Sequence, residues 1–141
     1  MLTTVNIRNA ALGFGVVFLL AGLAGFFASP PPPDAPPLTV AHGHGMALGL
    51  LPVNTIHNIV HLLFGVLGIL AWRGAGTARD YFRVVAIAYA ALAVLGVIAA
   101  TKTLFGFVPL WGNDVYFHAL LALAAFYFGS ITPATPAAAH G

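Results

Sequence analysis

Cysteine is absent from the chain, and charged residues make up only 6% of its 141 residues. The lack of cysteine excludes disulfides, iron–sulfur clusters and thiolate metal sites, which leaves His, Asp and Met as possible metal ligands. The scarcity of charge excludes an ordinary water-soluble domain, since such domains carry about 25% charged residues. The five basic residues form no cluster, so the sequence indicates no nucleic-acid partner. Hydrophobic residues make up 60% of the chain, which predicts that a lipid bilayer surrounds it.

Four long apolar stretches follow one another along the chain, each with room for the roughly 20 residues that a membrane-spanning helix needs. The predicted spans are residues 9–28, 55–72, 82–101 and 113–131. Each is apolar on nearly every face, so it lacks the polar side that a surface-bound helix turns to water. The sequence therefore predicts an all-α integral membrane protein, with four transmembrane helices in a compact bundle that forms a single domain over residues 1–131.

The basic residues predict the direction of the spans. Arg8 precedes the first span, and Arg73, Arg79 and Arg83 surround the connection between the second and third spans. The positive-inside rule then places both termini in the cytoplasm and residues 29–54 in an outer loop. The first span is too long for a cleaved secretory signal, so we expect it to be retained. The low-complexity tail, residues 132–141, is predicted to be disordered.

The second and fourth spans resemble each other. A shift of 57 positions aligns Gly49, Pro52, His61 and Leu63 with Gly106, Pro109, His118 and Leu120. Both spans enter the membrane from the outside, so the repeat predicts two parallel helical hairpins related by a pseudo-twofold axis along the membrane normal. The equivalent faces of the two spans are expected to meet across that axis.

Polar residues gather at the outer ends of these two spans. His57 and His61 are four residues apart, as are Asp114 and His118, so each pair lies on one helix face. Three histidines with one carboxylate are a set of ligands suited to zinc or another divalent metal. We therefore interpret His57, His61, Asp114 and His118 as candidate metal ligands.

Two other interpretations of these residues stay open. His61 and His118, at equivalent repeat positions, are also suited to hold haem b or a chlorophyll-type pigment as axial ligands. Alternatively, the histidines form only an interhelical hydrogen-bond network, in which Asn54, Asn58 and Asn113 act as helix caps or partners. That network needs no cofactor.

The outer loop adds a second group of possible ligands in His42, His44 and Met46, which alternate with glycines. Short His-rich tracts bind metals, so this loop is a candidate relay that hands a metal on. The other interpretation is an unstructured turn in solvent. The chain contains no recognisable set of nucleophile, base and acid, so we predict no catalytic residues and no enzyme activity.

Two stretches resemble a family of small bacterial four-span proteins, the domain-of-unknown-function family numbered 4383: GLLPVNTIHNIVHLLFGVLG and LFGFVPLWGNDVYFHALLALAAFYFG. The resemblance covers about Asn9 to Gly129. In that family a P-V-N and H-N-x-x-H stretch opens the second helix and an N-D and L/F-H stretch opens the fourth. The matching residues here are Pro52, Val53, Asn54, His57, Asn58, His61, Asn113, Asp114, Phe117 and His118. The resemblance implies a multi-pass protein of the bacterial inner membrane and brings no established activity.

Two functional hypotheses follow. In the first, the protein holds a transition metal, haem or pigment between the outer ends of the second and fourth helices. In the second, it is a non-catalytic accessory or assembly subunit of a larger membrane complex, in which the histidines only join helices. Recovery of a homo-oligomer instead of a partner protein would count against the second hypothesis.

Overall fold

The protein is mostly helical, with four α-helices and a small β-hairpin in the computed structural model, which describes residues 4–130. The elements are α1 (Thr4–Gly25), β1 (Gly45–Ala47), β2 (Leu51–Val53), α2 (Thr55–Ala71), α3 (Ala75–Val97), a 3-10 turn (Leu104–Gly106) and α4 (Asn113–Ser130). The predicted disordered tail, residues 132–141, lies outside the described residues.

Two of the helices, at Ile7–Gly25 and Ala75–Val97, are long and apolar enough to cross a membrane. The other two helices are too short or too polar to meet the same criteria of length and hydropathy. The apolar helix α2 has only 17 residues, and α4 begins with the polar pair Asn113 and Asp114. Polar residues at the start of a short helix reduce the apolar length that remains for the bilayer.

The helix α3 begins at Ala75, ahead of the start of the predicted third span at Phe82. The hydroxyl of Thr77 donates to the carbonyls of Gly74 at 2.8 Å and Ala71 at 3.0 Å, which joins the end of α2 to the start of α3. Apolar length marks where a chain can enter lipid, but hydrogen bonding decides where a helix begins. The connection between the predicted second and third spans is therefore mostly helical.

Packing divides the helices into two pairs, because α1 lies along α2 and α3 lies along α4. Close approach depends on small residues. A Cβ added at Gly15 of α1 would lie 2.8 Å from the carbonyl oxygen of Gly65 in α2, and a Cβ at Gly96 of α3 would collide with the carbonyl of Leu110 ahead of α4. Aromatic rings fill the centre between the two pairs, among them Phe18, Phe82 and Tyr89.

The glycine-rich stretch of the outer loop is folded rather than an open turn in solvent. Met46 lies in β1 opposite Pro52 of β2, and its backbone exchanges hydrogen bonds of 2.8 and 3.1 Å with Ser29. The backbone N–H of Thr55 donates to the carbonyl of His42 at 3.0 Å. These backbone bonds fasten the loop across the start of α2.

The two turns ahead of α2 and α4 have the same unusual backbone. Leu48 and Gly49 adopt φ angles of 54° and 69°, and Phe105 and Gly106, 57 residues later, adopt 57° and 92°. A left-handed conformation is uncommon for residues other than glycine. Its occurrence at the aligned Leu48 and Phe105 is a likeness between these two turn positions. The likeness is local, because Leu104 is also left-handed whereas its equivalent Ala47 lies in β1.

The buried faces of the helices also correspond. The buried residues of α2 and α4 align at the same shift of 57, in the pairs His57 and Asp114, His61 and His118, Gly65 and Ala122, and Gly68 and Ala125. The buried residues of α1 and α3 align at a shift of 71, in the pairs Ile7 and Ala78, Ala11 and Phe82, Phe18 and Tyr89, and Gly25 and Gly96. The shifts differ because the loop between α1 and α2 is the longer one.

Candidate metal centre

The turn ahead of α2 fixes the position of the first histidine. The buried side chain of Asn54 caps α2, because its Oδ1 accepts a hydrogen bond of 2.9 Å from the backbone N–H of His57. Its Nδ2 donates to the carbonyls of Val40 at 3.0 Å and Phe107 at 2.7 Å. Asn54 therefore joins both long loops to the first turn of the helix that carries His57.

Three histidine side chains converge between α2 and α4. His57, His61 and His118 are 3%, 7% and 1% exposed, and each offers a ring nitrogen within 4.8 Å of those of the other two. The ring centroids of His57 and His61 are 4.5 Å apart, and those of His57 and His118 are 5.8 Å apart. We call these three residues with Asp114 the histidine cluster.

The carboxylate of Asp114 lies beside two of the three rings, those of His57 and His118. Its Oδ2 is 3.4 Å from Nε2 of His118 and 3.9 Å from Nε2 of His57, and the residue is only 2% exposed. A carboxylate buried among apolar groups is costly unless a cation or a hydrogen-bond donor compensates for its charge. The structure thus places all four predicted ligands together.

Several polar atoms of the histidine cluster have no hydrogen-bond partner within residues 4–130. They are Nδ1 of His57, Nδ1 of His61, both ring nitrogens of His118 and Oδ2 of Asp114. Buried polar atoms in proteins are nearly always hydrogen-bonded, because an unpaired one costs about 1–3 kcal/mol. A buried group of open donor atoms is suited to coordinate a cation.

The donor set indicates which cations fit. Three imidazole nitrogens and one carboxylate oxygen suit zinc and other borderline divalent metals. Zinc–nitrogen bonds of 2.0–2.1 Å place the nitrogens of a tetrahedral site about 3.4 Å apart. The histidine nitrogens lie within 4.8 Å of one another, so they would have to move closer together to bind zinc at that spacing.

The space around the cluster suits a small occupant better than a macrocycle. Two cavities border it, with volumes of about 80 and 150 Å³, whereas pockets for drug-sized ligands measure roughly 300–1,000 Å³. His57 also lies close to both His61 and His118, the two predicted axial ligands of a haem or pigment. The folded site has room for an ion and a small ligand.

The other two predicted network asparagines lie in different surroundings. Asn113 begins α4 and donates from Nδ2 to the carbonyl of Leu50 at 3.3 Å, which joins α4 to the hairpin. Asn58 is 1% exposed and faces α1, where its side-chain amide fills the space left by Gly25. Oδ1 of Asn58 has no hydrogen-bond partner in the described part of the chain.

The predicted loop ligands are only partly brought together. His42 and His44 border a pocket of about 260 Å³ with Thr55 and Asn58, and Nδ1 of His42 hydrogen-bonds to Oγ1 of Thr55 at 2.9 Å. Partial burial lowers the pKa of His44, which favours the neutral, metal-binding form of its ring. Met46 pairs in the hairpin and does not border this pocket.

Sequence reasoning missed two aromatic residues beside the cluster. The ring of Tyr89 lies 5.0 Å from that of His118, and the ring of Phe18 lies 5.8 Å from that of His61. The shift of 57 that aligns α2 with α4 does not align α1 with α3. The equivalence of Phe18 and Tyr89 was therefore not predicted from the sequence. The signal was an aromatic residue seven positions before a glycine, at Gly25 and again at Gly96.

Fold and site together define a four-helix protein with two long apolar helices and a buried cluster of three histidines and an aspartate. The chain belongs to the family described as Domain of unknown function (DUF4383), which matches residues 8–131. The family resemblance predicted from the sequence is thus confirmed. No curated protein and no solved structure matches the chain.

Proposed function

We propose that the protein is a membrane-embedded metal-binding protein whose single divalent transition-metal ion is held by His57, His61, His118 and Asp114. The observation that carries this proposal is the convergence of three buried imidazole nitrogens within 4.8 Å, beside a buried carboxylate. Two helices supply these ligands in pairs four residues apart, the spacing that brings two side chains onto one face. A metal ion satisfies donor atoms that the protein itself leaves unpaired.

The apolar outer surface of the bundle supports the proposal that the protein lies in a lipid bilayer and that all four helices span it. Large apolar side chains on all four helices face outward, including Leu20 at 61% exposure, Leu63 at 56%, Ile87 at 74% and Leu123 at 69%. Soluble monomers rarely expose contiguous apolar patches larger than a few hundred Å². Lipid is the surrounding medium in which these residues cost nothing.

The distribution of polar groups supports the proposed orientation, with both termini in the cytoplasm of a bacterial inner-membrane protein. Arg8 at the start of α1 donates to the carbonyl of Trp72 just after α2, at 2.7 Å, and its guanidinium lies over the Trp72 ring. These residues belong to the same end of the bundle as Arg73. The histidine cluster belongs to the opposite, outer end, where α2 and α4 begin.

The shared turn conformations and aligned buried faces support two parallel-repeat hairpins, α1 with α2 and α3 with α4. In this arrangement His61 and His118 are equivalent across the pseudo-twofold axis, and His57 is equivalent to Asp114. The metal ion then lies near the axis, and each hairpin contributes two of its ligands. At the position equivalent to His57 the second hairpin has Asp114, so the proposed ligands are three histidines and one acid.

The alternative role, that of an accessory subunit, requires the histidines to form hydrogen bonds between helices rather than to bind a metal. If the histidines only joined helices, their ring nitrogens would donate and accept hydrogen bonds within the bundle. The unpartnered nitrogens of His57, His61 and His118 favour coordination instead. We infer no catalytic residue, and the chain has no need of a second protein to complete the ligand set.

The folded outer loop is proposed to deliver the metal. His42 and His44 border one pocket near the start of α2, and the buried Nε2 of His44 has no partner among the described residues. Two imidazoles with one amide oxygen bind a divalent metal more weakly than the four-ligand cluster does. A site that captures an ion and passes it on has to bind that ion more weakly than the site that receives it.

Replacement of each histidine tests the proposal. We expect His57→Ala, His61→Ala and His118→Ala each to abolish stoichiometric metal in protein purified from the membrane fraction, with His42→Ala as the matched control that retains it. His-to-Asn variants at the same positions separate the two roles, because Asn replaces a hydrogen bond better than a metal ligand. Full metal content in any one of the three Asn variants would contradict the proposed ligand set.

A further inference from the structure

The two cavities that flank the histidine cluster are related by the same shifts as the helices. One has a volume of about 80 Å³ and the other about 150 Å³, and both are bordered by His61 and His118. Their other walls correspond in pairs: His57 with Asp114, Leu51 with Val108, and Phe18 with Tyr89. Each side of the pseudo-twofold axis therefore has its own cavity against the site.

A hydroxyl distinguishes the two cavities. Tyr89 borders the smaller one and is 0% exposed, and its hydroxyl has no hydrogen-bond partner in the described chain. Its ring stands edge-on to that of His118, at an interplanar angle of 81°. Phe18 occupies the equivalent place beside His61. An aromatic ring without a hydroxyl therefore packs well in that place, and packing alone does not require the hydroxyl of Tyr89. Burial of an unpaired hydroxyl is unfavourable, which indicates that the Tyr89 hydroxyl has a ligand to contact.

Resting on the metal site proposed above, we propose that the smaller cavity binds an exogenous fifth ligand of the metal, either water or a small anion, and that Tyr89 donates a hydrogen bond to it. Zinc-type ions can expand from four to five ligands. A water molecule takes about 30 Å³ of liquid volume, so a cavity of about 80 Å³ accommodates a ligand of two or three heavy atoms. The remaining walls are apolar, including Val60, Leu92 and Leu110. Such walls exclude bulk water and strengthen a hydrogen bond inside.

Azide binding to the Co²⁺-loaded protein tests this inference, because azide is a three-atom anion and Co²⁺ reports a new ligand in its visible spectrum. We expect Tyr89→Phe to load Co²⁺ as the wild type does and to bind azide about tenfold to hundredfold more weakly, as loss of a hydrogen bond to a charged group predicts. Tyr81→Phe is the matched control. The Tyr81 hydroxyl donates to the carbonyl of Phe64 at 3.1 Å, so its loss should leave azide affinity unchanged.

The double variant Phe18→Tyr with Tyr89→Phe moves the hydroxyl to the other cavity. If the ligand binds on the Tyr89 side, azide affinity stays weak in this variant, whereas full recovery would contradict that side. Equal azide affinity in wild type and Tyr89→Phe, with Co²⁺ bound in both, would overturn this inference alone. A wild-type chain that takes up no Co²⁺ would overturn the metal site together with the inference. A metal-free Tyr89→Phe protein much less stable than wild type would show that the hydroxyl is structural, and would overturn it too.

Discussion

Oδ2 of Asp114 lies 3.4 Å from Nε2 of His118, one helical turn further along α4. Both residues are almost completely buried, so their interaction is little screened by solvent. A carboxylate in this position is poorly compensated in the metal-free protein and becomes favourable when a cation binds beside it. If the proposed metal ion binds here, the pair couples the stability of the bundle to metal binding.

The substitution Asp114→Asn separates the effect of this carboxylate on the stability of the metal-free protein from its effect on metal affinity. The amide keeps the size of the side chain and removes a buried negative charge, so we expect the metal-free variant to be at least as stable as wild type. Metal affinity should fall by more than about 10-fold to 100-fold, which is the effect of losing a group that only supports a metal ligand. Thermal unfolding in detergent with and without metal, and a competition titration, measure both. A metal-free variant clearly less stable than wild type would instead assign Asp114 to a hydrogen-bond network.

Gly25→Ala tests the close contact between α1 and α2. An added Cβ would collide with the side-chain amide of Asn58, and overpacking of this kind costs about 1–3 kcal/mol. Gly13→Ala is the matched control on the same helix, because nothing lies within 4 Å of its added Cβ. Thermal unfolding in detergent should show a loss for Gly25→Ala alone.

A second substitution tests the cause of that loss. Val115 is the equivalent of Asn58 in α4, so Asn58→Val places at position 58 a side chain that the repeat already contains. We expect Asn58→Val to recover only part of the stability lost by Gly25→Ala. Val lacks the Oδ1 atom that lies nearest the added Cβ, but it keeps γ-carbons, and Cγ2 of the equivalent Val115 would lie 2.9 Å from a Cβ added at Gly96. An equal loss with and without Asn58→Val would contradict the contact as the cause.

The outer loop is expected to affect the rate of metal uptake rather than its extent. We predict that the double variant His42→Ala, His44→Ala takes up Zn²⁺ more slowly from a chelator and reaches the same final content as wild type. Met46→Leu serves as the control, because Met46 lies in the hairpin away from the pocket of His42 and His44. A lower final content in the double variant would make these histidines ligands of the central site.

The natural lack of cysteine allows the orientation to be measured with single introduced cysteines. Asp34 in the outer loop and Gly76 at the start of α3 are both exposed. In intact spheroplasts we expect a membrane-impermeant maleimide to label Asp34→Cys, and to label Gly76→Cys only after permeabilisation. Labelling of both from the same side would contradict the proposed arrangement of spans.

Much of the fold is predictable here, because the apolar stretches and the repeat at a shift of 57 residues can both be recognised directly in the sequence. His57, His61, Asp114 and His118 could be identified together, since helical spacing fixes which side chains share a face. The pairing of Phe18 with Tyr89 could not, because α1 and α3 align only at a different shift and share few residues. The folded outer loop was missed as well, since the bonds between Ser29 and Met46 join residues that are distant in sequence.

The start of α3 was predicted less well than those of α2 and α4, which begin at Thr55 and Asn113. Apolar length placed the start of the third span at Phe82, but α3 begins at Ala75, where Thr77 bonds to carbonyls of the preceding turn. The side-chain partners of Asn58 and Tyr89 also depend on which helices become neighbours. Such contacts are set by tertiary packing, and no local pattern in the sequence records them.

The most direct test of the central claim is the metal content of the wild-type protein purified from membranes, measured by elemental analysis together with its visible spectrum. The account predicts one divalent transition-metal ion per chain and no Soret band. Protein that contains no stoichiometric metal and acquires none on incubation with Zn²⁺ or Co²⁺ would contradict it, and a Soret band would replace the metal ion with haem.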